Sequence, residues 1–501
     1  MNNNSKWMIV CTIMMVAILE VLDSTIVNVA LPNMMPSLSA DQSEITWVLT
    51  SYVVAAAMML PLTGFLSDYF GTKKLLLIDV IGFMISSFAC GTASNLTLMV
   101  IFRLFQGGFG AALIPLSQAI LRDSFPLEEQ PKAMAIWGLG VMAAPVFGPT
   151  LGGFIVAHFS WRWIFYLNAP ICCLGILMTI LFIPEFQKKE RKIDYIGVIL
   201  MFLGIGCLQI FLDQGNEKGW LHSNEIVLLG IISLLSTVLF FMRSYNNTAS
   251  IITLSIFKNR NFSLCTLLLA IFSGSLFSFL TLEPIMLENL YGYTPMLAGE
   301  TMITLGAASA LAMSLTSVLM KTIKVKYILI AGLLASAGGA FYFSHLSLNA
   351  TQNNFRIGNG LFGLGLGLFM VPLTTYSLAT LAPKNITEGA GLFTYGRMLG
   401  TSIGVSLLST LISRETQINW QNIGAHISIF NHNLYTWLQA QQLTLQNHLA
   451  LIKLQSNLSS QASMLAFIDG YQLIGMILLT LIPLTLCLKD VKLQSMEIVA
   501  H

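Results

Sequence analysis

Of the ionisable residues inside long apolar runs, where a charged side chain needs a specific reason, three are the first candidates for chemistry. Glu20 and Asp23 fall in the first apolar run of the chain, and Arg103 falls in the fourth. An ionisable group near the centre of a bilayer costs roughly 2.5–3.5 kcal/mol on insertion scales. If these runs cross a membrane, the three residues are candidates for proton or ligand binding rather than for packing.

Glu20 and Asp23 are three residues apart, which places them on one face of a helix. Two acids this close in a low dielectric cannot both ionise cheaply, so at least one is expected to exchange protons near neutral pH. We expect Arg103 to pair with Asp23, directly or through water, because a buried guanidinium needs such a partner. Two alternatives stay open: Asp23 only hydrogen-bonds a neighbouring helix, and Arg103 only anchors its helix near the outer interface.

Four further residues are predicted to line a substrate cavity. Arg397 is the second cation inside an apolar run, and the sequence suggests no partner for it. Glu283 precedes Pro284, where a broken helix would expose the acid to a cavity. Asn28 and Gln106 are the two polar, uncharged members of this set.

The elements that hold these residues are predicted to be membrane-spanning helices. The 501 residues are 55% apolar and 10% charged, against roughly 25% charged in an ordinary soluble protein. Fourteen apolar runs have a length near that of a bilayer, which predicts an all-α integral membrane protein. The predicted spans are 7–29, 45–66, 75–93, 96–121, 133–157, 163–183, 196–212, 226–242, 262–282, 297–320, 327–345, 357–378, 389–412 and 466–488.

The basic residues predict the orientation of these spans. With the N-terminus in the cytoplasm, 18 of the 25 Lys and Arg residues fall in inner loops or tails and five on the outer side. Positive charge collects on the cytoplasmic side, so both termini are predicted to be cytoplasmic. The net charge of +2 gives no indication of a nucleic-acid partner.

A repeated motif predicts two related halves. Gly108, Gly110 and Pro115 have the same spacing as Gly365, Gly367 and Pro372, eight spans later. An even number of spans keeps both copies in the same direction, as in transporters built from parallel repeats. We therefore predict a six-helix bundle at 1–186, two inserted helices at 187–257, and a second six-helix bundle at 258–501.

A long outer segment at 413–465 belongs to the second bundle. It is rich in Gln and Asn, yet its apolar residues have helical spacing, as at Leu434, Trp437 and Leu438. Two interpretations stay open: a solvated helical hairpin that packs on itself, and a docking surface for another protein.

Two motifs are candidates for gating. The turn between spans two and three contains Gly64, Asp68, Gly71, Lys73 and Lys74, and we interpret it as a charge latch on the cytoplasmic face. Span five contains Gly148, Pro149, Gly152 and Gly153, where small residues permit close helix contact and prolines bend the helix. Both motifs also have a plain interpretation, as a basic loop and as a packing surface.

No feature of the sequence predicts an enzyme or a cofactor. It lacks the G-x-x-x-x-G-K-[ST] motif of ATP-hydrolysing proteins, and no His-rich or Asp-rich pair suggests a metal site. Two other classes of protein stay open besides a transporter. They are a membrane-embedded enzyme and a receptor built like a transporter. An enzyme would need an acid–base or metal cluster at one interface, and a receptor would bind a ligand without moving protons.

At several of these sites the sequence resembles the major facilitator superfamily, in particular its 14-helix drug:proton antiporter branch of EmrB-like multidrug exporters. The motifs that carry the resemblance are Leu22–Pro32, the turn at 64–74, Arg103–Gly107, Gly148–Gly153, Leu212–Gly215, Val371–Thr375, and Arg397 with Gly400 and Gly404. Tyr69 and Thr72 stand where the family is usually basic, which weakens the expected latch. Glu20 stands where relatives are often neutral, which would alter proton stoichiometry or favour cationic cargo.

The resemblance implies export of lipophilic compounds from the bacterial inner membrane, driven by inward proton flow. Asp23 would belong to the proton-coupling site with Arg103 as its partner, and Gly148–Gly153 to an exporter-type gate. The family also implies an EmrA-like periplasmic adaptor and a TolC-like outer-membrane channel as partners. Dedicated export of one metabolite, such as a siderophore or toxin, stays open as the alternative.

Overall fold

A computed structural model describes most of the chain, and every regular element in the described part is helical. The described residues are 3–41, 44–126, 129–185, 194–216, 218–246, 254–381, 386–427 and 448–489, together with 434, 436, 438 and 439. The basic residues at 188–192, Lys384 and Lys492, which contributed to the predicted orientation, lie outside this set.

Nine helices make up the part of the chain before the predicted insertion. They are α1 (Asn3–Leu38), α2 (Trp47–Met59), α3 (Thr63–Phe70), α4 (Thr72–Thr92), α5 (Leu96–Gly110), α6 (Leu113–Ser124), α7 (Gln130–His158), α8 (Trp163–Tyr166) and α9 (Asn168–Phe182). A short 3-10 turn, Leu60–Leu62, joins α2 to α3.

The remaining described helices lie in the ranges predicted for the inserted helices and for the second bundle, which we call the insertion and the second half. The insertion contains α10 (Tyr195–Gln214) and α11 (Asn224–Asn246). The second half contains α12 (Arg260–Tyr291), α13 (Pro295–Leu319), α14 (Val325–Phe343), α15 (Gln352–Ala379), α16 (Ile386–Ala425) and α17 (His448–Leu486).

The helices agree with the fourteen predicted spans. Within the described residues, twelve helical segments are long and apolar enough to cross a membrane, and each overlaps one predicted span. The other two predicted spans, 133–157 and 389–412, lie within α7 and α16. The prediction of an all-α membrane protein is confirmed.

The helices next to the long outer segment are much longer than a bilayer requires. α16 has 40 residues and α17 has 39, so each is about 60 Å long at 1.5 Å per residue, against about 30 Å of hydrocarbon. The segment predicted at 413–465 therefore begins and ends as helix. A small apolar cluster of Leu434, Leu438 and Ala450 lies between the two helices, whereas Trp437 and 440–447 fall outside the described residues.

Glycines allow two pairs of helices to pack with their backbones in contact. A Cβ atom on Gly400 of α16 would lie 1.9 Å from the carbonyl oxygen of Ala270 on α12. On α7, a Cβ on Gly148 would lie 2.2 Å from Oγ1 of Thr25 on α1, and α7 continues as one helix through its prolines. Small residues at such contacts are the usual means of bringing membrane helices together.

The inserted helix α10 is bonded to both halves. Thr50 on α2 donates a hydrogen bond to Asp213, and Gln209 donates to Ser402 on α16 over 2.8 Å. The insertion therefore bridges the two bundles through α2 and α16. Asp213 thus has a structural partner here.

We expect Gly400→Ala to destabilise the protein because the new methyl group would overlap the α12 backbone. Overpacking of this kind typically costs about 1–3 kcal/mol, so the unfolding temperature in detergent should fall by several degrees. Gly360→Ala is the matched control, since Gly360 lies in α15 with nothing within 4 Å of the added atom. Equal melting temperatures for the two variants would contradict the packing argument.

Candidate functional site

Asp23 and Arg103 form a fully buried ion pair in the first half. Nη1 of Arg103, on α5, lies 2.5 Å from Oδ2 of Asp23, on α1, and neither side chain is exposed. The other carboxylate oxygen, Oδ1, accepts hydrogen bonds from Nε2 of Gln106 at 2.9 Å and Nδ2 of Asn168 at 2.8 Å. Two amide donors and one cation thus satisfy the oxygens of this buried carboxylate.

The guanidinium of Arg103 is held by more than the acid. Its Nε donates to the carbonyl oxygen of Val48 at 3.0 Å, and its carbon lies 4.3 Å from the centre of the Tyr52 ring. α5 can approach α2 this closely because it has Gly107 at the contact, where a Cβ would lie 2.2 Å from the Tyr52 carbonyl oxygen. Nη2 of Arg103 has no hydrogen-bond partner. The direct pairing predicted from the sequence is present.

Sequence reasoning missed Asn168. It lies at the start of α9, buried, and it also donates to Oγ of Ser87 on α4 at 3.0 Å. An amide inside an apolar span is the signal that could have identified it, because polar side chains in membrane helices usually bond across to another helix.

Glu20 connects this network to the second half. It lies one turn before Asp23 on α1 and interacts electrostatically both with Asp23 and with Arg397 on α16. Its Oε2 atom is buried without a hydrogen-bond partner. Arg397, for which the sequence offered no partner, thus faces an acid of the opposite half, and its guanidinium also lies 6.0 Å from the ring of Phe277.

A cavity lies between the halves beside these charges. The first half contributes Met134 and Trp137 to its wall, and the second half contributes Phe277, Met313 and Phe393. A few polar groups, Gln118, Thr374 and Thr394, complete the wall, and Arg397 is the only charged residue among the described residues that line it. Such a wall suits a small molecule that is mostly apolar.

Of the four residues predicted to line a cavity, Arg397 lies in the wall of this one. Gln106 belongs to the buried network around Asp23 instead. Asn28 is exposed and donates to the carbonyl oxygen of Ser24 at 3.2 Å. Glu283 lies inside the second half, where Asn359 donates to it.

The turn at 64–74 contacts the opposite half. A Cβ on Gly64 would lie 2.6 Å from Cα of Glu388, near the start of α16, so the halves touch backbone to backbone there. Gly71 has φ +86°, a conformation that suits glycine and lets α3 turn into α4. Lys73 donates to the carbonyl oxygen of Ile180 at the end of α9.

The other predicted gating residues lie in the same two regions. Asp68 is half-buried and Lys74 is exposed. A Cβ on Gly152 would lie 3.0 Å from the carbonyl oxygen of Ile26, and one on Gly153 would lie 4.0 Å from Val29. Pro149 lies in α7, but its side chain is outside the described set. The glycines of α7 therefore pack against α1 immediately after Asp23.

A second contact between the halves lies near the turn at 64–74. Arg122, at the end of α6, donates to the carbonyl oxygen of Leu378 at the end of α15. The halves therefore meet at two contacts on the side that carries Lys73 and Lys74.

Metal binding finds no support in the described part of the chain. No group of three or more His, Cys, Asp or Glu side chains there is arranged to hold an ion.

Comparison with known proteins places the chain in a family. Residues 13–405 match the profile of the Major Facilitator Superfamily. The chain belongs to this superfamily. Within it, the chain is 33% identical to the multidrug export protein EmrB of Haemophilus influenzae over 421 residues, 82% of each chain. It is 35% identical to the fatty acid resistance protein FarB of Neisseria gonorrhoeae over 424 residues, 83% of each chain.

Solved structures of the superfamily have the same fold. The proton:xylose symporter XylE has a TM-score of 0.60 and 13% identity, over 96% of this chain and 97% of its own. The human organic anion transporter MFSD10 has a TM-score of 0.59 and 14% identity, over 94% of this chain and 99% of its own. The chain is therefore an EmrB-like major facilitator protein that crosses the membrane several times, and a transporter rather than an enzyme.

We expect Arg103→Leu to destabilise the protein strongly, because it leaves Asp23 buried without a cation. Removing one member of a buried ion pair typically costs about 3–5 kcal/mol. Adding Asp23→Asn removes the stranded charge, so the double variant should melt at a higher temperature than the single one. The check is thermal unfolding in detergent, and additive losses in the double variant would show that the two residues are not coupled.

Proposed function

We propose that this protein is a proton-coupled exporter of lipophilic or amphipathic small molecules, such as drugs. It would act by alternating access in a bacterial inner membrane, with both termini in the cytoplasm. The observation that carries the proposal is the line of charges from the Asp23–Arg103 pair through Glu20 to Arg397, which ends in the wall of the cavity between the halves. A proton that binds on this line changes the electrostatics of the cargo site.

The proton step begins at Asp23. A proton on this carboxyl removes the charge that Arg103 binds, while Arg103 keeps the Val48 carbonyl and Gln106 as partners. Asp23 is fully buried in this conformation, so the proton enters in another one, in which α7 has separated from α1. Gly148 and Gly152 pack against Thr25 and Ile26 and cover that side of Asp23, which supports Gly148–Gly153 as the exporter-type gate.

The cargo step takes place in the cavity. Its apolar wall favours lipophilic compounds, and its few polar groups orient them. Glu20 and Arg397 attract each other across the two halves, so protonation of Glu20 weakens that attraction and releases Arg397 toward the cargo. The printed names of the relatives, a multidrug export protein and a fatty acid resistance protein, agree with apolar cargo.

The turn at 64–74 is proposed as the latch of the cytoplasmic end. Gly64 supports this role because it permits backbone contact with the opposite half at Glu388. Gly71 forms the turn, and Asp68, Lys73 and Lys74 supply its charges. The latch must open before cargo enters from the cytoplasm. The proton motive force drives the cycle, and the electrical part supplies about 2.3 kcal/mol per charge per 100 mV.

We expect Asp23→Asn to abolish export driven by a pH gradient. The protein should still fold in the membrane but melt at a lower temperature, because Arg103 loses its carboxylate and keeps the Val48 carbonyl and Gln106 as partners. Asparagine keeps the shape of the side chain and can still bond to Asn168 and Gln106, but it cannot carry a proton. The measurement is efflux of a lipophilic dye in vesicles with and without the gradient. Asp41→Asn, the same change in an exposed turn, is the control, and wild-type efflux by Asp23→Asn refutes the assignment.

We also propose that the pump forms the inner-membrane part of a tripartite system. An EmrA-like adaptor would dock at 413–465 and lead the cargo to a TolC-like outer-membrane channel. The support is geometric: α16 and α17 each extend about 30 Å farther than hydrocarbon thickness requires. This gives a rigid helical platform on the side that is predicted to be periplasmic.

Replacing residues 425–456 by a short Gly–Ser linker should preserve transport and weaken assembly with the adaptor. Transport in inside-out vesicles is expected to persist, because the cavity and the charge network lie elsewhere. Binding of a purified EmrA-like adaptor should fall at least tenfold in a pull-down titration. Unchanged adaptor affinity would show that the adaptor docks somewhere else.

A further inference from the structure

The second half contains a buried acid that the charge line does not use. Glu283 on α12 is fully buried, and its Oε1 accepts a hydrogen bond from Nδ2 of Asn359 on α15 at 2.6 Å. The same amide also lies 3.3 Å from the carbonyl oxygen of Thr301 on α13. The second carboxyl oxygen, Oε2, is buried and has no hydrogen-bond partner.

The titratable groups that surround Glu283 are tyrosines rather than cations. Tyr471 on α17 interacts electrostatically with Glu283 and in turn with Tyr291 at the end of α12, and its hydroxyl has no hydrogen-bond partner. The cation of α16, Arg397, faces Glu20 and the Phe277 ring instead. Asn359 and Thr301, which face Glu283 from α15 and α13, do not titrate.

Aromatic rings seal this site from water. Phe279, one turn before Glu283, stacks on Phe362 with ring centres 4.2 Å apart. Tyr471 packs against Phe279 and Phe343, with ring centres 5.4 Å and 5.0 Å away. An ionised carboxylate with one neutral amide donor in such surroundings costs several kcal/mol. The carboxyl group is therefore held with its proton in this conformation.

The position of Glu283 matches that of Asp23 in the other half. The G-x-G-x4-P repeat relates α5 and α6 to α15, and Arg103 and Asn359 precede their respective motifs by five and six residues. Each half thus places an acid of its first helix against a donor of its fourth span. In the first half the donor is a cation, and in the second it is an amide. The acid thus has a cation as its partner in one half and only a neutral donor in the other.

We propose that Glu283 is a second proton-carrying site of the transport cycle. The proton resides on the carboxyl while α12, α15 and α17 enclose it, and it leaves to water when these helices separate in the opposite conformation. A proton from water on the other side then reloads the same oxygen. This inference rests on the proposed proton-coupled export. It assigns two protons to each cargo molecule, one shared by Asp23 and Glu20 in the first half and one on Glu283 in the second.

The test is the cargo gradient that the reconstituted full-length protein sustains at a fixed pH gradient. With the membrane potential clamped at zero and a neutral lipophilic dye as probe, each coupled proton contributes a tenfold dye gradient per pH unit. At one pH unit the wild type should approach a hundredfold gradient, and Glu283→Gln, which keeps the bond to Asn359, a tenfold one. Glu225→Gln, an exposed acid paired with Lys218, should behave as the wild type.

A second variant covers the case in which Glu283→Gln does not fold. Asn359→Leu removes the amide donor and makes the proton harder to lose, so the pH profile of export should move to higher pH with the hundredfold gradient retained. A wild-type gradient in Glu283→Gln, or an unmoved profile in Asn359→Leu, overturns this inference alone. A wild-type protein that sustains no dye gradient overturns the proposed function as well.

Discussion

The rest of the structure depends on one constraint. A guanidinium and a carboxylate that are both buried away from water must neutralise each other's charge. Arg103 and Asp23 do so at 2.5 Å, and the amides of Gln106 and Asn168 complete the acid's hydrogen bonds. The partners come from α1, α5 and α9, and α2 contributes the Val48 carbonyl. Four helices of one half are thereby fixed to a single charge pair, so a change of one proton alters the packing of all four.

Electrostatics also links the two halves, at longer range. Glu20 is on the same helix as Asp23, but it interacts electrostatically with Arg397 of the other half. Arg397 also lines the cavity. The charge pair, the acid and the cargo site therefore form one connected set. At the end that carries Lys73, the halves also meet through Gly64 and Glu388. Rigid bundles joined by such localised contacts are suited to rocking between two states.

The halves use the same positions for different chemistry. Asp23 has a cation, whereas Glu283 has only an amide and surrounding aromatic rings. Burial without a cation favours the neutral form of an acid, and burial beside a cation favours the charged form. The two proposed proton sites therefore lie in different surroundings, one beside a cation and one beside a neutral amide.

The sequence by itself determined the class, the spans and the central charge pair. Fourteen apolar runs are visible because a helix must cross about 30 Å of hydrocarbon, and Asp23 with Arg103 is predictable because buried charges need partners. Only the tertiary structure decided three other features. These are the electrostatic interaction of Glu20 with Arg397, the role of Asn168 and the set of residues that line the cavity. In a membrane helix the lipid-facing and core-facing sides are both apolar, so the sequence pattern does not show which face of α16 turns toward α1.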